Sequence, residues 1–320
     1  VTAAGGPAGS VGIQVPGADA ETGIMLAQTA VTLSPGDEFA GDPHEAFLER
    51  ITRDIALGPV NLPCFPDIVP RIRRALDDPN SSAEGIVRIA GSEPRLSARL
   101  IQTANSVVFN PTGRPAPNLR SAIARLGHTL VQSVVMVFAM QQLKAEPRLR
   151  AVAQPLADLW EKSVAVASIC QTLARELGVP TEKVFLAGLV HGIGHFYILV
   201  RAAEPTHGIA AAELPPQLVA ARHPAIGQAV LEKWGFEYGV CAAVGRQCDE
   251  RRHLKSAADL TDLLIAGVVL AQMRAEGHLD VARLENVTAI GRIGLSHDEL
   301  RSIIEHTDHA VGALRESLAQ

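Results

Sequence analysis

The sequence predicts an all-α protein built from two packed helical subdomains, and three observations carry that prediction. Aromatic residues make up only 4% of the chain, and its apolar residues are mostly Ala, Val, Leu and Ile, a composition suited to packed helices. Helix-start signatures recur, with a capping residue followed three positions later by an acid. No β-hairpin or βαβ pattern stands out. At 320 residues the chain exceeds one modal domain. The predicted organisation is a flexible leader over 1–40, a first helical subdomain over 41–150 and a second over 151–320.

Taken in order, residues 1–38 are rich in Gly, Ala and Pro and show no sustained period. Asp42, Pro43 and Glu45 then mark a helix start, and Phe47, Leu48, Ile51 and Ile55 form its apolar stripe up to Gly58-Pro59. Leu62-Pro63-Cys64-Phe65-Pro66 reads as extended, and Ile68, Ile72 and Leu76 as a helix ending before Asp78-Pro79. Ser81 with Glu84 opens another helix, and Gly91 to Pro94 turns the chain into one bearing Leu96, Leu100 and Ala104 that stops at Asn105-Ser106. Asn118 caps a helix ending at Gly127, and His128 to Leu143 is apolar nearly all round, as a buried helix would be.

Beyond Pro147 and Pro155 a helix through Trp160 and Val164 runs to Gly178. Ala221 to Gly235, Cys241 to Gln247 and Asp259 to Arg274 are predicted helical, with Trp234 a core anchor. Arg251 to Lys255 reads as a solvated charge run, with docking of an acidic partner as the alternative, and Ser296 with Glu299 starts a terminal helix.

Charge is unevenly placed. Residues 1–49 hold seven acids and no Lys or Arg, which leaves the remainder at +2 within a formal net charge of −5. Neither part has the basic excess that phosphate-backbone binding needs, so nucleic acid is not an expected partner. Cys64, Cys170, Cys241 and Cys248 are far apart and form no C-x-x-C pair, which fits reduced thiols in a cytoplasmic protein. The first basic residue is Arg50, unlike a secretory signal, and the longest apolar run, Val134 to Met140, is short for a bilayer span, so no membrane is expected.

The stretch that organises the chain is 184–200, VFLAGLVHGIGHFYILV. It sets His191 in a buried helix or at its end, with Thr181 as the expected cap. On a continuous helix His191 and His195 would share one face and could place two imidazoles on one metal, whereas Gly192 and Gly194 weaken that helix. The plainer reading is a core histidine bonded to backbone.

These motifs resemble the HDOD (HD-related output domain) family of bacterial signalling proteins, all-α relatives of the HD and HD-GYP metal phosphohydrolases. The resemblance spans about residues 58–318. It rests on Leu62-Pro63…Pro66, Glu93-Pro94…Leu96…Arg99-Leu100, Asn105-Ser106…Phe109 and Ser121-Ala122-Ile123…Leu126-Gly127. It continues through Trp160…Ser163, Ala187-Gly188-Leu189…His191…Ile193-Gly194, His223…Ile226-Gly227…Leu231…Trp234 and Gly294-Leu295-Ser296…Glu299-Leu300.

The resemblance implies that the second subdomain is a degenerate HD-type helical bundle. Catalytic HD proteins hold metal with a His, a contiguous His-Asp pair and a later Asp. By resemblance the first His position falls at Lys162, the pair becomes His191-Gly192, the later Asp falls near Gln272, and the paired histidines of HD-GYP proteins match Gln247-Cys248. No metal or cofactor is therefore expected.

The leading expectation is a non-catalytic signalling module acting on a protein partner, with Asn105, Ser106, Arg95 and Arg99 as a possible functional face. The alternative is a divergent metal-dependent phosphohydrolase using His191 and His195, joined by His207 or His223. A non-catalytic small-ligand pocket, for example for a cyclic dinucleotide, is a third reading, without a P-loop or Arg-rich motif behind it.

Overall fold

The computed structural model describes residues 42–58, 60, 68–77, 83–106, 109–110, 113–253 and 257–319, and every regular element among them is helical. The expected leader 1–40, the proline-fixed stretch 62–66 and the Ser81 half of the second capping box lie outside the described residues.

Helix α1 (Pro43–Leu57) starts where an Asp42 carboxylate oxygen accepts from the His44 N–H at 3.0 Å, and it buries Phe47, Leu48, Ile51 and Ile55 as predicted. It packs on α8 (Ile193–Ala202) and α9 (Pro216–Lys233), far along the chain. Arg201 pairs with Asp54 at 3.0 Å, and Lys233 Nζ donates to the Ala56 carbonyl at 3.1 Å. Helices α2 (Ile68–Asp77), α3 (Ala83–Gly91) and α4 (Pro94–Asn105) pack on α5 (Leu119–Ala145).

Asn118 caps α5 by accepting from the Ser121 N–H at 2.9 Å. The stop expected at Gly127 is instead a kink: this residue takes φ 69°, open to glycine for want of a Cβ, and the helix resumes at once. Two predicted helices are thus one bent rod. Its second part buries every residue from Val131 to Met140.

Helix α6 (Ala153–Glu176) begins two residues before Pro155, which its first turn accommodates. It ends at Gly178, whose N–H donates to Arg175 O at 3.0 Å while that of Val179 reaches back to Ala174 O at 2.9 Å. Helix α7 (Thr181–Val190) starts at Thr181 itself, with Pro180 in the capping position and no side-chain cap, so the expected Thr181 cap does not form. The organising stretch is two helices, α7 and α8, separated by a turn at His191-Gly192. Glycine's cost within a helix is spent at this break, and His191 and His195 do not share one continuous helical face.

Helix α9 begins five residues before Ala221, because prolines at its start lack only an N–H the first turn would leave unpaired. Helices α10 (Tyr238–Gly245), α11 (Leu260–Glu276), α12 (Val281–Asn286) and α13 (Thr288–Ile293) follow. Helix α14 (His297–Ala319) opens with the predicted box: Glu299 accepts from the Ser296 N–H at 2.7 Å and its own N–H donates to Ser296 Oγ at 3.3 Å. It returns to pack on α6 and α4.

Two stretches, 119–143 and 181–202, are long and apolar enough to cross a bilayer, although no single unbroken apolar run is. Their apolar windows are 72% and 89% buried inside the protein, so here they serve as core helices.

The tightest crossing is α8 on α9. A Cβ on Gly194 would stand 1.9 Å from the His223 carbonyl oxygen and 2.6 Å from Gly227 N, both backbone atoms that cannot swing aside. Gly194→Ala should therefore cost about 3 kcal/mol or more in urea unfolding, the upper range for overpacking. Gly291→Ala on α13, where a Cβ meets nothing within 4 Å, should instead gain about 0.5 kcal/mol by the same measurement.

Candidate functional site

The break between α7 and α8 gathers the groups singled out in the sequence. His191 stands in the turn and is 3% exposed. Its Nδ1 lies 2.8 Å from the Gly188 carbonyl oxygen. A carbonyl only accepts, so the ring proton sits on Nδ1 and Nε2 keeps its lone pair. His195 follows on α8, and its ring stacks on that of His223 from α9, with centroids 5.8 Å apart and planes at 28°. The α8–α9 crossing is what makes that stack possible.

All three imidazoles are held neutral. Burial pushes His191 down to about 4, opposed in part by the bond to Gly188 and assisted by the nearby Lys162 and His195 charges. His195 is pushed down to about 4 by burial and then by Lys162. His223 falls to about 3 through burial, then the charges of His195, His191 and Lys162. Lys162 itself is exposed on α6.

The neighbouring residue, Ser163, is fully buried and its Oγ has no hydrogen-bond partner, nor has buried His223 Nδ1. An unpaired buried polar atom costs about 1–3 kcal/mol, which makes both atoms conspicuous. Ser163 Oγ lies against Gly192, where a Cβ would come within 3.4 Å of it.

Gln247, 2% exposed, closes another side: its Nε2 donates to the His191 and Val244 carbonyls, each at 2.9 Å. Cys248 beside it is exposed. Gln272 lies on α11 and is exposed, donating to Glu276 and accepting from Arg283 at 3.1 Å. Among the described residues no three His, Cys, Asp or Glu side chains converge at metal-ligating distance. The donor set around His191 thus lacks the carboxylates that hard cations and bridged metals require. His207 lies in a short 3-10 turn, and its side chain falls outside the described residues.

The other expected face divides. Asn105 staples a loop, accepting from the Ala116 N–H at 2.6 Å and donating to the Ala116 carbonyl at 3.2 Å, with Arg125 on the same oxygen at 3.3 Å. Ser106 Oγ donates to Thr103 O at 2.9 Å. Arg95 is exposed, whereas Arg99 is 8% exposed and its flank is part of the core side of α4.

Sequence reasoning missed a buried ionic cluster. Arg252, expected in a solvated charge run, is 7% exposed and donates to Asp259 at 2.7 and 3.0 Å and to Asp262 at 3.3 Å. Arg292 Nε donates to the other oxygen of fully buried Asp262 at 3.0 Å. The available signal was Asp259 and Asp262 as cap and third residue before the apolar run of α11.

A protein from Shewanella amazonensis SB2B, provisionally named a metal-dependent phosphohydrolase, superimposes with TM-score 0.63 at 26% identity, over 86% of this chain and 99% of that one. An HDOD domain protein of unknown function from Geobacter sulfurreducens gives 0.55 at 22% identity, over 86% and 98%. A provisionally named signal transduction protein from Marinobacter aquaeolei VT8 gives 0.53 at 18%, over 87% and 67%. No curated protein sequence matches the chain. These superpositions define the class, an all-α HDOD-type fold. The sequence profile of the HDOD domain matches residues 62–249, more than half of the chain, and the chain belongs to that family.

The neutral histidines give a signed pH dependence. Unfolded His191 takes up a proton below its ordinary value of 6.5, while the folded ring stays neutral until about 4. Stability is therefore complete above that upper value and declines as pH falls through the window, by about 3 kcal/mol from His191 alone. Urea midpoints measured across the window should fall with pH, and His191→Asn should flatten the slope.

Proposed function

We propose that this chain is a regulatory module that does not hydrolyse phosphate esters and passes a signal to a protein partner in the cytoplasm, without contacting nucleic acid or membrane. The observation that carries this reading is the chemistry at the α7–α8 break. Where the resemblance puts a metal-binding carboxylate stands Gly192, and where it puts the first histidine stands Lys162, whose ammonium opposes a cation. Gln247 is engaged with two backbone carbonyls. Nothing in this set acidifies a water molecule. Family membership and the fold shared with a provisionally named signal transduction protein support the regulatory half of the reading.

A second reading is favoured by the stacked His195 and His223 and by the name of the Shewanella amazonensis neighbour: a divergent metal-dependent phosphohydrolase using His191 and His195. An all-imidazole set would select zinc or iron over magnesium. Purified protein incubated with bis(p-nitrophenyl) phosphate and Mg2+, Mn2+, Fe2+ or Zn2+ should release no nitrophenolate above the buffer rate. Turnover that requires one of these metals and disappears in His191→Ala and His195→Ala would establish the second reading instead.

A further inference from the structure

Three features at the α7–α8 break are unused by the regulatory reading. Helix α8 begins at Gly192, and no side chain accepts from its first turn, where the positive end of its dipole lies. Ser163 Oγ, fully buried and unpartnered, lies against that same Gly192. Lys162, the next residue on α6, is close enough to act electrostatically on His191, His195 and His223, and it forms no ion pair with any described residue. Uncapped helix start, unspent hydroxyl and free ammonium all call for an anion.

His191 narrows the choice. With its proton committed to Gly188, the ring offers Nε2 as an acceptor, which disfavours a fully deprotonated anion and welcomes one that still carries an O–H. Inorganic phosphate keeps much of such a proton near neutral pH and a monoester, with a second pKa of about 6, keeps part of it, whereas sulfate and phosphate diesters have none to give.

We propose that this break is a binding site for a monosubstituted or free phosphate group, seated on the first turn of α8. Ser163 and Lys162 donate to its oxygens, and its remaining O–H donates to His191 Nε2. The ligand is held without turnover, since the site provides no activated nucleophile, and the bound phosphate is an input that the module senses. Free phosphate and a small phosphate monoester share this chemistry, and they differ only in whether a substituent projects past Lys162 to solvent.

Isothermal titration of the full chain with inorganic phosphate, glycerol phosphate, sulfate and cyclic AMP tests the site. Saturable binding of phosphate or the monoester at about 1 mM or tighter is expected, with sulfate and the diester weaker by about tenfold or more. A stronger monoester than free phosphate would identify an organic ligand, and the reverse the inorganic ion. Lys162→Gln, at an exposed position, should weaken binding by about tenfold without moving the thermal midpoint, and Ser163→Ala should weaken it further. Should Ser163→Ala fail to fold, Lys162→Gln alone decides. Absence of saturation, equal binding of sulfate, or binding indifferent to Lys162→Gln would each overturn the proposal while leaving the regulatory reading to its own turnover assay.

Discussion

Helices α8 and α9 meet backbone to backbone at Gly194 and Gly227, and the arrangement of the candidate site follows from that approach. Any side chain at position 194 would occupy the space of the His223 carbonyl. With the two helices this close, His195 and His223 stack, and the start of α8 lies against the middle of α6 at Ser163. The turn at His191-Gly192 sits at the mouth of this crossing. Its orientation is secured from two sides, by the ring bond to Gly188 and by the Gln247 amide on the His191 carbonyl.

The protein treats buried charge in two opposite ways. Around Asp262 it supplies two arginines and a second aspartate, so that an acid with no solvent access keeps its partners at hydrogen-bond distance. Losing one member of such a cluster strands the others, at a cost of about 3–5 kcal/mol, which ties the α10–α11 loop to α13. Around His191 no acid among the described residues acts on the ring. The imidazoles there avoid the desolvation penalty by staying neutral, with one cation at the rim. A site of neutral bases and one ammonium is poorly matched to a metal ion and well matched to an oxyanion.

Much of this was legible in the residues. Caps at Asp42, Asn118 and Ser296 are local chemistry, decided within a few positions, and each forms as the sequence indicates. The break at His191 was signalled by two glycines. What could not be read was anything set by a distant partner. Arg252 looks like surface until Asp262 is placed beside it, and the Arg99 burial depends on how α4 rolls onto its neighbours. Gly127 shows a subtler limit: the residue type announces a positive φ, but not whether the helix resumes afterwards. Ser163 stood in the sequence only as one residue of the family resemblance, because an unpaired hydroxyl is a property of its surroundings.

Helix α1 belongs mechanically to a region well over a hundred positions downstream. Its anchorage runs through Asp54 to Arg201 and through the Ala56 carbonyl to Lys233, and Trp234 Nε1 extends the seam to the Val60 carbonyl at 3.4 Å. The helices it grips are the same two that bear His195 and His223. Helix α1 therefore bears directly on the helices that carry the histidine stack, with none of α2 to α5 in between. In this architecture α1 and the crossing at Gly194 are adjoining parts of one linkage.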